Sequence, residues 1–182
     1  IAQSTAAHKH EPARYWMHHN MITINGQKMA KSLNNGIKVS ELFEGNHPLL
    51  TRGFGPNTLR FFVLQAHYRS TLDFSQEALE ASEKGLKRLL EAFKKIDGVV
   101  PESESTFNIK EIVQNIENAF IDDLNTPIAI AQLFELAKYI NMASDKKAKL
   151  TLSDIDEIRS AVARYFGGIM GLNAQDRSDD NG

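Results

Sequence analysis

The sequence predicts a mainly α-helical chain: an antiparallel bundle of amphipathic helices preceded by a short helix, a strand and a loop. Three observations predict it. Apolar residues recur at three- and four-residue spacing through four long stretches after residue 75. Short connections join most of these stretches, which implies antiparallel neighbours. One β-prone run, residues 17–24 (MHHNMITI), precedes Asn25-Gly26, a pair that tolerates positive φ and favours a tight hairpin turn.

In chain order, residues 1–10 read as the end of a helix and residues 17–24 as the one strand. From about Val39 the pattern is helical. Leu59, Phe62, Val63 and Ala66 share one face of a short helix. Leu79, Leu86, Leu90, Phe93 and Ile96 mark a longer one from about Ser75 to Ile96. Ile109, Ile112, Val113, Ile116, Ala119 and Phe120 fit the helical template closely. Thr126 reads as an N-cap with Pro127 at the first helical position, and the helix runs to about Met142. Ser153 and Asp156 resemble a capping box ahead of a last stripe of Ile155, Ile158, Val162 and Phe166. Residues 100–106 read as a surface linker, and Trp16 as a core residue. The tail over 173–182 is too poor in apolar residues to fold and is expected to be disordered.

Composition narrows the function. With 182 residues and 42% hydrophobic content, the chain can bury a sizeable core without disulfides. It has no cysteine, which excludes a thiolate nucleophile or thiolate metal site. No run of 18 apolar residues exists to span a membrane. A net charge of −2 confines any nucleic-acid contact to local patches. His8, His10, His18 and His19 have no third ligand at suitable spacing, so no metal site is expected.

The sharpest chemical signal is Lys28-Met29-Ala30-Lys31-Ser32. Two ammonium groups three residues apart, followed by a hydroxyl, can clamp a polyphosphate. Breaking an α–β phosphate bond moves negative charge onto pyrophosphate, and a mobile cationic loop there favours the transition state. The plainer reading is a solvated lysine-rich turn.

The flanking residues decide between these readings. The segment IAQSTAA from Ile1, Tyr15-Trp16-Met17-His18, the run from Gly26 to Leu33, and Asn35 resemble the cysteinyl-tRNA synthetase family. Leu59-Arg60-Phe61-Phe62, His67-Tyr68-Arg69-Ser70, the run from Asp122 to Pro127 and the run from Leu133 to Ala137 resemble its helical domain. The resemblance covers residues 1–172. It implies a class I cysteine–tRNA ligase that activates cysteine with ATP and transfers it to the 2′-hydroxyl of tRNA(Cys), in the cytoplasm. Lys31 matches the family's ATP-contacting lysine, and Lys28 and Ser32 its companions; Ala30 departs from the usual KMSKS serine. The family's HIGH-type signature and its zinc ligands have no counterpart in this chain, so the expectation is a piece of a longer enzyme, inactive alone.

The resemblance divides the chain into residues 1–45, the end of a catalytic region with its KMSKS-type loop, and 46–172, a helical tRNA-binding bundle of the DALR type. Lys84, Lys87, Arg88, Lys94 and Lys95 lie away from the apolar face of their helix, either as phosphate contacts or as a solvated face partly neutralised by Glu83 and Glu91. Arg60 and Arg69 read equally as ion-pair partners or tRNA contacts. Asp122 and Asp123 read as charges favouring the helix N-terminus that follows. Two other functions remain: an RNA-binding helical module without catalysis, and a related ligase joining cysteine to an amino sugar.

Overall fold

The computed structural model describes residues 2–33 and 35–172, with Lys31 described by its backbone alone. The expected tail over 173–182 lies outside the described residues. Helix α1 (Ala2–His8) buries none of its residues and leads into an extended segment. Strand β1 (Ile22–Ile24) turns through Asn25 and Gly26, at φ 49° and 76°, into β2 (Gln27–Lys28). That double positive-φ turn is the hairpin that Asn-Gly predicts. Short helices α2 (Val39–Glu44) and α3 (Pro56–Leu64) follow, then β3 (Leu72–Phe74).

The sheet has the order β2-β1-β3, with β1 antiparallel to β2 and parallel to β3. Strand is therefore not confined to residues 17–24. β1 is shorter than expected, and β3 was missed because three residues with a central Asp73 carry no period of their own. Long-range pairing to β1 makes Leu72–Phe74 a strand.

Beyond the sheet the chain is the expected helical bundle. Helix α4 (Gln76–Lys95) starts at Ser75, whose hydroxyl accepts from the Ala78 amide. Helices α5 (Ile109–Ile121), α6 (Thr126–Ser144) and α7 (Leu152–Ala161) follow, the last continuing as a π-helical segment over Val162–Ile169. The connection over 100–106 is exposed, as a linker should be.

Two caps differ from expectation. Asn125, not Thr126, caps α6, and Thr151 with Asp154, not Ser153 with Asp156, forms the capping box of α7. In both cases a second cap-forming residue stands within two positions, and the one with an extended or turn backbone wins. The π segment ends on the Met170 amide donating to Tyr165 at 2.9 Å and the Leu172 amide donating to Phe166 at 3.0 Å. Gly171 between them has φ 64°, and a Cβ there would lie 2.4 Å from Arg60 Nη1. Arg60 thus packs against the end of the bundle. The wider winding turns Tyr165 and Phe166 into the core and leaves Val162 at its margin.

The buried side chains fall into two clusters. The larger fills the bundle, from Phe61 and Leu86 through Ile116, Leu133 and Ile140 to Leu172. The smaller joins the sheet to α2, α3 and the start of α4 through Ile24, Leu42, Phe54, Phe62, Phe74 and Leu79. Helix α3 serves both: Phe61, fully buried, enters the bundle, and its neighbour Phe62 enters the small core. The buried face of α3 is therefore Thr58, Phe61 and Phe62, with Leu59 packed against the small core as expected, while Val63, also expected inside, is exposed. Trp16 also departs from expectation, being 49% exposed on the segment before β1.

A polar contact ties the two parts together at the surface. The Asp123 carboxylate accepts from the Tyr68 hydroxyl at 2.6 Å and pairs with Arg69 at 3.2 Å. Asp123 sits at φ 56° between α5 and α6, a conformation that Asp tolerates better than most residues. Asp122 caps the end of α5. Neither aspartate acts as a charge on the first turn of α6; both belong to the turn before it. Asn20 extends the contact toward β1, its amide and side chain donating to the Tyr68 and Arg69 carbonyls, each at 2.9 Å.

Three outcomes are expected of these contacts. Tyr68→Phe removes a hydroxyl that donates to Asp123 and accepts from Arg69, and should lower stability by about 1–2 kcal/mol, read as a shift in urea midpoint. Thr151→Ala should cost about 1 kcal/mol by the same measurement. The Asp154 carboxyl feels burial, which alone would raise its pKa, but hydrogen bonds from the Thr151 side chain and amide outweigh it and hold the pKa below the ordinary range. A depressed carboxylate stabilises above its unfolded pKa. That contribution should be complete above about pH 5 and vanish as pH falls through the depressed value, below ~3.9.

Candidate functional site

The lysine loop is built on the hairpin. Register sets Thr23 opposite Lys28 on β2 and opposite Asp73 on β3, so these three share one face of the sheet. The other face carries Ile24 and Phe74 into the small core. Burial of that face fixes the register, because a one-residue slip would expose both. Lys28 is exposed at the end of β2, and Met29 and Ala30 lead into a 3₁₀ turn over Lys31–Leu33. Ser32 is exposed. Of the three residues singled out by sequence, Lys28 and Ser32 stand at the surface within one short loop. The Lys31 side chain lies outside the described residues.

Two side chains that sequence reasoning assigned no role hold this loop. Asn35 reaches back across it: its Oδ1 accepts from the Ala30 amide at 2.9 Å, and its Nδ2 donates to the Lys28 carbonyl at 3.1 Å. Asp73 holds the hairpin turn: one carboxylate oxygen accepts from the Thr23 hydroxyl at 2.6 Å and from the Gly26 amide at 2.8 Å. The Thr23 hydroxyl, then the Gly26 amide, hold the Asp73 carboxyl below its ordinary pKa. Asn35 was visible in the motif run as a loop residue. For Asp73 no local signal existed, since its partners lie 47 and 50 positions away.

The five basic residues of α4 are all exposed and lie within one arc of the helix, opposite Leu79, Leu86, Leu89 and Phe93. The acids expected to neutralise them do so unevenly. Glu83 is engaged by Arg52, whose guanidinium donates to both carboxylate oxygens and holds the Glu83 pKa below its usual value. Glu91 lies 3.9 Å from Lys87. Lys95 donates to Asn141 on α6 at 2.7 Å. Among the described residues, Lys84, Arg88 and Lys94 have no acidic partner within ion-pair distance. Lys138 of α6 lines a groove with Arg88, Glu91 and Lys95, but its ammonium is paired with Glu135 at 3.1 Å. Of the two arginines left open by sequence, Arg69 is an ion-pair partner of Asp123.

Among the described residues no three His, Cys, Asp or Glu side chains come together as a metal site. No described helix is long and apolar enough to cross a membrane.

Comparison with known proteins gives this geometry a lineage. Residues 1–84 match the family of class I (C) tRNA synthetase catalytic domains, and residues 115–175 match the DALR domain. A cysteine–tRNA ligase of Bacteroides thetaiotaomicron is 48% identical over 182 residues, covering 99% of this chain and 37% of the relative. One from Porphyromonas gingivalis is 44% identical over 182 residues, covering 100% and 37%. One from Chlorobaculum tepidum is 41% identical over 172 residues, covering 94% and 33%. The chain therefore spans little more than a third of the length of these relatives. Two matches in the same order as the loop and the bundle, on a chain that aligns with these relatives almost end to end, lead to one conclusion: the chain belongs to the cysteine–tRNA ligase family of class I tRNA synthetases.

Proposed function

We propose that this chain supplies the ATP-contacting loop and the tRNA-facing helical bundle of a cytoplasmic cysteine–tRNA ligase acting in protein biosynthesis. The complete enzyme would join cysteine to ATP as cysteinyl-adenylate and pass the cysteinyl group to tRNA(Cys). The observation that carries this reading is the pair of family matches in order on one chain, with relatives of one named activity aligned across nearly all of it. Residues 1–45 would close the catalytic region and 46–172 form the bundle, with the small core around Phe54 and Phe62 bridging the join. The DALR match over 115–175 favours a tRNA ligase over a ligase acting on an amino sugar.

In this reading Lys31 and Lys28 meet the β- and γ-phosphates, and the Ser32 hydroxyl donates beside them. As the cysteine carboxylate attacks the α-phosphorus, the bond to the bridging oxygen breaks and pyrophosphate leaves. The lysines stabilise the charge gathering on it more than they stabilise bound ATP. Lys28 can serve this role because it is exposed and has no acidic partner among the described residues. Zinc belongs to the family, but these residues do not fit it. The sequence holds no cysteine, and the described residues gather no ligand set. No step above runs through a metal.

Two experiments test the halves of the proposal. In the full-length ligase containing this chain, Lys31→Ala should slow ATP–pyrophosphate exchange roughly 100-fold or more, as loss of a transition-state contact does. The isolated chain should show no exchange at all. An unimpaired Lys31→Ala enzyme would exclude the loop from the reaction. For the bundle, the chain should bind tRNA weakly, with affinity falling steeply as salt rises, because each phosphate contact releases about one counterion. Replacing Lys87 and Arg88 by Glu should weaken binding and flatten the salt slope by about one to two units. An unchanged slope would remove this face of α4 from the contact.

A further inference from the structure

The hairpin that carries the lysine loop is restrained at both ends by side chains outside the motif, and we propose that Asp73 and Asn35 are positioning residues for the ATP-contacting loop. The inference rests on the loop's assignment above and adds the groups that orient it.

The loop needs such restraint. Its N-terminal arm is the two-residue strand β2, paired only with β1 at the edge of a three-stranded sheet. A two-stranded hairpin of that length does not hold its shape alone in water. The turn before it sets Asn25 and Gly26 at positive φ, which both residues tolerate but neither enforces, since both also adopt other conformations. Asp73 fixes it by accepting from Gly26 inside the turn and from Thr23 on the central strand with a single oxygen. It does so from β3, whose Phe74 is buried in the small core. The turn is therefore anchored to a packed element and not merely to its own hairpin. The Asn25 amide adds a bond to the Phe74 carbonyl at 3.1 Å.

On the far side, Asn35 closes the loop across its neck. It satisfies the Lys28 carbonyl and the Ala30 amide with one side chain. These backbone groups immediately flank Met29, so Asn35 fixes the direction in which the chain leaves β2. The Leu33 amide then donates to the Ala30 carbonyl at 3.1 Å, closing the 3₁₀ turn that carries Lys31 and Ser32. The course is Asp73 to the turn, the turn to Lys28, and Asn35 from Lys28 to Ala30 and the second lysine. Neither anchor is itself cationic, and neither is expected to touch ATP. Each acts through the lysines.

A positioning residue is told from a merely structural one by which kinetic constant it moves. In the full-length ligase, Asn35→Ala and Asp73→Ala should each lower kcat for ATP–pyrophosphate exchange by roughly 10- to 100-fold, the range that small misplacement of a catalytic group produces. KM for cysteine should stay within about twofold, since cysteine is held elsewhere. Asp73→Asn keeps an acceptor oxygen and should retain kcat within about threefold. Thr23→Val, which removes one of the two donors, should lose several-fold. Those two variants decide the matter if an alanine variant does not fold: equal activity in Asp73→Asn and Thr23→Val would overturn the role of Asp73. Asn35→Asp keeps the acceptor for the Ala30 amide, loses the donor to the Lys28 carbonyl, and should fall between parent and alanine. Folded Asn35→Ala and Asp73→Ala enzymes with parental kcat would overturn the proposal, as would a cysteine KM rising in step with the loss. Lys31→Ala is measured in the same series. If it too is unimpaired, the loop's assignment fails; if it is impaired while both anchors are silent, only the positioning role fails.

Discussion

The arrangement depends on two neighbouring phenylalanines that face different interiors. Phe61 fills the bundle and Phe62 fills the small core beneath the sheet. Consecutive residues on a helix point about 100° apart, so one helix can serve two cores only where they meet at an angle along its flank. α3 lies at that junction. α4 repeats the pattern along its length, with Leu79 in the small core and Leu86 and Leu89 in the bundle. The α3–α4 pair is therefore a shared beam and not a linker. A large-to-small change at Phe61 or Phe62 removes buried contacts from one core while disturbing the helix that supports the other.

Polar contacts refine what the two cores set roughly. Asp123 with Tyr68 and Arg69 fixes the α5–α6 turn against the end of α3. Arg52 with Glu83 fixes the loop before α3 against α4. Both groups are partly exposed, so their worth lies in orientation more than in stability. Engaging Glu83 has a further effect on charge. An acid that sequence sets against the lysine face is turned toward Arg52, and the cationic character of that face is stronger than composition suggests.

Much of the fold was legible because helices announce themselves locally. The stripe from Ile109 to Phe120 is a complete amphipathic pattern, and Asn25-Gly26 is a pair that tolerates the two positive φ angles its hairpin turn requires. What stayed hidden was made by distant partners. Leu72–Phe74 is a strand because β1 pairs with it, and Asp73 holds the loop from across the sheet. Cap positions slipped by one or two residues where Asn125 and Thr126, or Thr151 and Ser153, offer the same chemistry within one turn. Trp16 stands half exposed because the extended segment that carries it has no packed partner to cover the ring fully, which no local pattern announces. The lysine motif was visible as a motif. Asn35 was visible beside it but its contacts were not, and Asp73 gave no signal at all, since a hydrogen bond leaves no period in the sequence.

The direct succession of β3 and α4 has a mechanical consequence. Asp73 stands two residues before Ser75, the cap of a helix of 20 residues, and four of the five basic residues, Lys87, Arg88, Lys94 and Lys95, occupy the helix's other half. Such a rod is about 30 Å long, so a tilt of about 2° about one end moves the other by ~1 Å. A macromolecule seated on the lysine end thus has a lever on the strand that holds the loop's turn. Helix α4 is packed against α3 and α6 along this length, so the seat of the loop's turn and the bundle's basic face are parts of one packed unit.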